Sequence, residues 1–259
     1  MRTIVWTLAA IIVGSASLAA QTNETLHLRS FDRSELHLTD TQKAWALALT
    51  GVLTERNHER HDLLGGAERT TEDIRRQKRI LAMWWNVQSR EDLFKALQWI
   101  DQEGHRQEFD QVGAAVAKLT DEKYKEYLLK AQNDPQALQK LKTLRKYYRQ
   151  MDRKGILGWD YCRFISLCRW GYLVGYINEN EAWNCIMPAA RLLQKTFASW
   201  KDLGENYLTG REFWSYTETK NSGQYFRDAY QSLLDNPNSP WNRLVWNLNL
   251  QTTSKPGVK

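Results

Sequence analysis

Glycine and proline are scarce, 14 and 5 among 259 residues, so the residues that punctuate sheets and tight turns are few. Neither a glycine-rich phosphate loop nor a GxSxG elbow occurs, which removes the usual support for nucleotide hydrolysis and for α/β-hydrolase chemistry. Cysteine numbers three, Cys162, Cys168 and Cys185, with no CxxC pair, and the spacing does not suit a zinc cage. No charge sign dominates: 36 Lys and Arg face 30 Asp and Glu, a formal +6. That is mildly basic and is not a nucleic-acid footprint. No internal repeat and no low-complexity tract is found.

What is abundant is Leu, Ala, Glu, Lys, Arg and Gln, within a 42% hydrophobic composition. This balance favours helix over sheet. An all-α fold follows: a single multi-helix globular domain built on αα-hairpins, large enough to bury a core without metal, disulfide or cofactor. The start of the chain has a different character. Arg2 precedes an apolar stretch from Ile4 to about Val13, and small residues end at Ala19 and Ala20. This is the order of a secretory signal peptide, and it predicts cleavage near Ala19 or Ala20 and a periplasmic or secreted mature chain clear of the membrane. The alternative is an uncleaved anchor, because the stretch through Ala20 approaches the ~20 residues that span a bilayer. Residues 1–20 are thus assigned as signal peptide, 21–38 as a linker or loosely ordered arm, 39–250 as the helical domain and 251–259 as a frayed tail.

Within the domain, Thr39 is placed to cap a helix with Trp45, Leu49 and Leu53 on one stripe. Thr70 or Thr71 caps the next, which runs to Trp85. Ser89 with Asp92 resembles a capping box and opens a helix that Gly104 ends. Asn133-Asp134-Pro135 breaks the chain before a helix with Lys142, Arg145, Lys146, Arg149 and Arg153 on one face and Leu138, Leu141, Leu144, Tyr148 and Met151 on the other. Such a pattern reads as an ordinary solvated face. Residues 159–176 and 179–200 are predicted to form an αα-hairpin capped by Asn178 and Glu181, with Pro188 kinking or splitting its second helix. In that hairpin Cys168 and Cys185 fall at nearly equal heights, which leaves a disulfide open in an oxidising compartment.

The run from Gly158 to Trp214 crowds five tryptophans among charges, and charges beside apolar surface must be paired or meet a ligand. Its motifs are Trp159-Asp160-x-x-Arg163, Arg169-Trp170-Gly171-Tyr172, Gly175-Tyr176-Ile177, Glu181-Ala182-Trp183, Ser199-Trp200 and Gly210-Arg211-x-Phe213-Trp214. Upstream stand Trp84-Trp85-Asn86-Val87-Gln88-Ser89-Arg90-Glu91-Asp92-Leu93, Leu97-Gln98-Trp99-Ile100 and Gly104-His105-Arg106. In this order they resemble the bacterial domain-of-unknown-function family numbered 1266, over roughly residues 39–217. The resemblance brings no activity with it.

The candidate ligand-binding residues are His105, Arg106, Asp160, Arg163, Arg169, Trp170, Tyr176, Glu181, Trp183, Arg211 and Trp214. Each has a plainer alternative. Asp160 and Arg163, three apart on one helix, form either a buried structural bridge or a fork for a carboxylate or phosphate. His105 and Arg106 cap a carbonyl-rich helix end, or His105 serves as an acid/base. The tryptophans are core, or they line a cleft. His58, Glu59, His61 and Asp62 form the only metal-like cluster, and its spacing is that of a polar helix end and not of a zinc protease. The chain is read first as a non-enzymatic binding module for a protein partner, with an immunity-like role as one case, or for a small anionic ligand. No cofactor, metal or nucleic acid is implied. The competing expectation is a hydrolase-like enzyme on an anionic or glycan-like substrate, with Asp160 or Glu181 as acid/base and Arg163, Arg169 and Arg211 for binding.

Overall fold

Helix starts are set locally, by side chains that accept the otherwise orphaned backbone N–H groups of the first turn. In the computed structural model, which describes residues 26, 31–33 and 35–251, Thr39, Thr70, Ser89, Thr120, Asp134, Asn178, Ser199, Ser215 and Ser239 all cap in this way. The expected signal peptide and most of the tail lie outside the described residues. The described residues form α-helices and one short 3₁₀ turn, with no strand. No described helix is long and apolar enough to cross a membrane.

In chain order the helices are α1 (Asp40–Ala48), α2 (Gly51–Arg56), α3 (Thr71–Trp85), α4 (Arg90–Gln102), α5 (Arg106–Val116) and α6 (Asp121–Lys130). They continue as α7 (Pro135–Met151), α8 (Leu157–Val174), α9 (Glu179–Thr196), α10 (Trp200–Trp214), α11 (Tyr216–Asp235) and α12 (Pro240–Arg243). The single helix expected through Leu53 is in fact two, broken at Leu49 and Thr50. Thr50 donates from its hydroxyl to the Leu47 carbonyl and meets the Thr54 hydroxyl at 3.0 Å. Pro188 lies inside an unbroken α9, so it does not split the helix.

Helix α8 is the axis of the domain. Sixteen of its eighteen residues are buried, Asp160, Arg163 and Arg169 among them, so it carries no single apolar stripe and is largely enclosed by its neighbours. It packs against α3, α4, α9 and α10. Gly175, in the left-handed region at φ 84°, ends it and allows the turn to α9. Together α8 and α9 make the expected hairpin, and the Asn178–Glu181 capping box is formed on both sides. Segment 110–154 is a packing layer: α7 lies against α5, α10 and α11, with Leu141 and Leu144 buried and Lys142, Lys146 and Arg149 exposed.

A second aromatic core joins the two ends of the domain. Trp45, Trp200, Trp241 and Trp246 pack ring against ring. Their indole N–H groups donate to the carbonyls of Val245, Leu244, Ala48 and Phe197 respectively, all at 2.8–3.0 Å. Buried tryptophan is stable on these terms, with an apolar body and a satisfied N–H. The described part of the arm is docked as well: Phe31 meets Phe94 edge-on and Arg33 pairs with Glu181. Cys168 and Cys185 are buried free thiols. Burial above all, with Cys185 beside it, pushes the Cys168 pKa well up.

Candidate functional site: an aromatic cleft with a cationic wall

Two separated sequence motifs meet at the floor of a cleft. Asp160, fully buried on α8, accepts the backbone N–H groups of His105 and Arg106 at 3.1 and 3.0 Å. Its carboxylate thereby closes the N-terminus of α5, where backbone donors and the helix dipole both favour an anion. Arg106 and Arg163 also donate to it from their side chains. Burial pushes the Asp160 pKa up, but its hydrogen bonds and the Arg163 and Arg106 charges more than reverse this, holding it well below the usual carboxylate range.

Arg106 is spent on structure, since its guanidinium also donates to the Ile100 and Asp101 carbonyls at the end of α4. The helix-end role expected of it is therefore what it performs. His105 does something else. Its Nδ1 is 3.0 Å from Arg163 Nη2 and 3.8 Å from Asp160 Oδ1, so the hydrogen bond is to the arginine. A guanidinium only donates, so Nδ1 accepts and the neutral imidazole carries its proton on Nε2. Burial, and then the Arg163 charge, lower the His105 pKa, which keeps the ring in that neutral form at pH 7.

Above this floor opens a cleft of about 710 Å³ between α3, α4, α8, α10 and α11, with the end of α2 at one side. Six tryptophans reach it, Trp84, Trp85, Trp99, Trp159, Trp170 and Trp214, along with Tyr207 and Phe226. Trp159 packs on Tyr207 and Trp214 at centroid distances of 5.1 and 5.6 Å. Its indole N–H is buried without a partner, unlike those of the second aromatic core.

The charges on the wall are unbalanced. Arg56, Lys95, Arg163 and Arg211 line it against Asp92 and Glu218. Arg163 lies 4.2 Å over the Trp159 ring and 5.3 Å from that of Trp85, and its Nη1 makes no hydrogen bond. Arg211 is only 4% exposed. It donates to the Glu218 carbonyl and the Ser222 hydroxyl, stacks 3.9 Å from the Phe226 centroid and forms no ion pair. Arg56, half-buried, stacks on Tyr225 and Phe226 at 5.2 and 5.8 Å. It has neither a hydrogen bond nor an ion pair, and its Nε is buried. Arg56 and Arg211 repel each other: burial first, and this repulsion among smaller effects, lower the Arg211 pKa.

Of the residues singled out in the sequence, His105, Arg163, Trp170, Arg211 and Trp214 line the cleft, while Asp160 and Arg106 hold its floor. Four lie elsewhere. Arg169 spends its donors on the Leu64, Arg60 and Leu63 carbonyls and on Thr50 and Thr54, fixing the loop before α3. Tyr176 donates to the Gln88 carbonyl. Trp183 donates to Glu179. Glu181 takes both terminal nitrogens of Arg90, the Nε of Arg33 and the Asn178 N–H. The Arg90 hydrogen bond above all drives its pKa down to about 2. A carboxylate so bound is a poor general acid near neutrality, and Asp160 is buried with its oxygens occupied, so neither suits the acid/base role expected of an enzyme. The histidine-rich cluster also disperses: Glu59 accepts from Trp170, His61 meets Glu55 and Asp62 pairs with Arg60. Among the described residues no group of three or more such side chains could hold a metal.

Trp159, one of the tryptophans that could line a cleft, does so, whereas Arg56, Trp84, Trp99, Tyr207 and Phe226 were not singled out in the sequence as ligand residues. Trp84 and Trp99 sit inside the quoted motifs, and that was the available signal. Arg56 had none.

The fold and cleft define a helical protein with an arginine-bearing aromatic recess. The chain matches the family described as Protein of unknown function (DUF1266) over residues 80–246, and it belongs to that family. The matched span holds the whole cleft wall except its α2 edge, with Arg56. No curated protein and no solved structure matches the chain.

Proposed function

We propose that this protein is a binding module for a small anionic ligand, received in the aromatic cleft. One observation carries the reading: Arg56 and Arg211 stand together on the cleft wall with no carboxylate in ion-pair contact with either. Confining like charges beside apolar rings is costly, and an incoming anion would remove that cost. The Asp160–Arg163–His105 unit supports this use by fixing the floor while leaving Arg163 Nη1 unspent. On the order of its first twenty residues, we further propose that the chain is exported and cleaved near Ala19 or Ala20. Mass spectrometry of the native protein then finds an N-terminus near Ala20 or Gln21.

The binding reading is tested by thermal unfolding of the full chain against a panel of small phosphates, sulfonates and carboxylates at constant ionic strength. A ligand at 100 times its Kd stabilises by about 2.7 kcal/mol, which corresponds to a rise of several degrees. If no anion in the panel moves the transition more than its neutral counterpart does, the reading is wrong.

A further inference from the structure

We propose that the cleft's ligand is a flat, multi-ring aromatic oxyanion, bound with its charged group at Arg56 and Arg211 and with a hydrogen-bond acceptor at its far end against His105 Nε2. This rests on the anion-binding reading and narrows it to a ligand class.

The cleft wall is a chain of rings whose two ends differ chemically. Trp99 meets His105 edge-on at 5.1 Å, His105 meets Trp159 at 6.5 Å, Trp159 meets Tyr207 at 5.1 Å and Tyr207 stacks on Phe226 at 6.4 Å. At the Phe226 end stand the two arginines. The planar fork of a guanidinium suits an oxyanion. At the other end His105 is neutral, because Arg163 donates to its Nδ1. Its Nε2–H makes no hydrogen bond within the protein. Beside the Arg163 cation, that end therefore offers a neutral donor in His105, which discriminates by pairing an acceptor and not by charge.

Between the ends the wall favours ring faces. The Trp159 and Phe226 ring faces supply no acceptor, so the hydroxyls that a saturated sugar laid against those faces would be desolvated without compensation. An aromatic ring stacks or meets these side chains edge-on at no such cost. Trp84 and Trp99, 54% and 36% exposed, extend the same surface. The volume of about 710 Å³ lies within the usual range for a ligand of several rings.

Isothermal titration calorimetry on the full chain separates these parts. The probes are 2-naphthoate, 6-hydroxy-2-naphthoate, the neutral naphthalene-2-methanol, and acetate and inorganic phosphate as charge without rings. 2-Naphthoate binds at least about tenfold more tightly than naphthalene-2-methanol or acetate, and the 6-hydroxyl adds about 3- to 10-fold, the worth of one hydrogen bond. Arg56→Met removes most of the advantage of naphthoate over the alcohol, and His105→Phe removes the hydroxyl's advantage. If acetate or phosphate binds and naphthoate does not, the aromatic class is overturned while the anion reading stands. If the alcohol binds as well as naphthoate, or nothing binds, both fall. Equal affinity of the two naphthoates for the unmodified protein overturns the part given to His105, whether or not His105→Phe folds.

Discussion

Gly104 and Asp160 approach so closely that a Cβ on Gly104 would stand 2.1 Å from Asp160 Oδ2 and 2.7 Å from its Cγ. Gly104 also holds φ +60°, a region that side chains other than glycine's rarely adopt. Both constraints serve one end, since the chain must leave α4 sharply for the first N–H groups of α5 to meet the carboxylate. The Gly104-His105-Arg106 and Trp159-Asp160-x-x-Arg163 motifs are thus two halves of one device that anchors α5 on α8 and sets the floor of the cleft.

Gly104→Ala should therefore be severe for a one-carbon change. Positive φ and the clash with a fully buried carboxylate act together, and we expect a loss of about 2 kcal/mol or more. Urea denaturation with an unchanged m-value would register it as a stability loss. A variant as stable as the parent would show that the Asp160 contact is not tightly held.

Arg163→Met tests the same floor from the other side. Asp160 keeps Arg106 and two backbone donors but loses one cation from a site without water access, and His105 Nδ1 loses its donor. Removing one partner of a buried pair costs on the order of 3–5 kcal/mol. With the donor gone, the His105 pKa should also rise from its lowered position, which ¹H–¹⁵N imidazole resonances followed through a pH titration would report.

Asp110 gives a pH signature of opposite sign to Asp160. Burial first, and then the nearby Asp160 charge, raise its pKa to about 6, against the pull of Arg106. A carboxyl whose folded pKa exceeds its unfolded value of about 3.9 contributes stability that is fully present below about pH 4 and lost as pH rises through 6. Asp110→Asn should then be more stable than the parent at pH 7–8 by up to about 2–3 kcal/mol, and show no gain at pH 4. A gain that is the same at both pH values would mean that titration of Asp110 is not its source.

Much of the helical frame was legible because caps act over three residues of sequence. Thr39, Ser89, Asn178 and Pro135 mark their helix starts whatever lies across the core. The break between α1 and α2 was not legible: Trp45, Leu49 and Leu53 keep their spacing across it, and the hydroxyl contacts of Thr50 that accompany it depend on Arg169, more than a hundred residues away. The site divides along the same line. His105, Asp160, Arg163 and Arg211 could be picked out as charges among aromatics, and so could Glu181 and Arg169, because the sequence does not say which charge finds its partner inside the fold. Arg56 carried no signal of its own. Glu59 lies three residues on, as if in the next turn, but the chain leaves the helix at Asn57 and His58 takes φ +55°. Glu59 is thereby carried away to Trp170 and Arg169.

That stranded arginine supports the last prediction, in which stability and binding move in opposite directions. Arg56 makes no hydrogen bond, buries its Nε without a partner and faces the like charge of Arg211. A methionine would retain contact with Tyr225 and Phe226, since its thioether suits aromatic neighbours, and would relieve both penalties. Arg56→Met should therefore raise the stability of the free protein by about 1 kcal/mol, or roughly 2–4 °C in Tm for a chain of this size. A residue kept for packing would show a loss on replacement, whereas one kept for a ligand shows this gain together with weaker anion binding. Differential scanning calorimetry of parent and variant, each with and without a bound anion, reads both quantities at once. A lower Tm in the variant without ligand would assign Arg56 to the architecture of the cleft wall and remove it from the site.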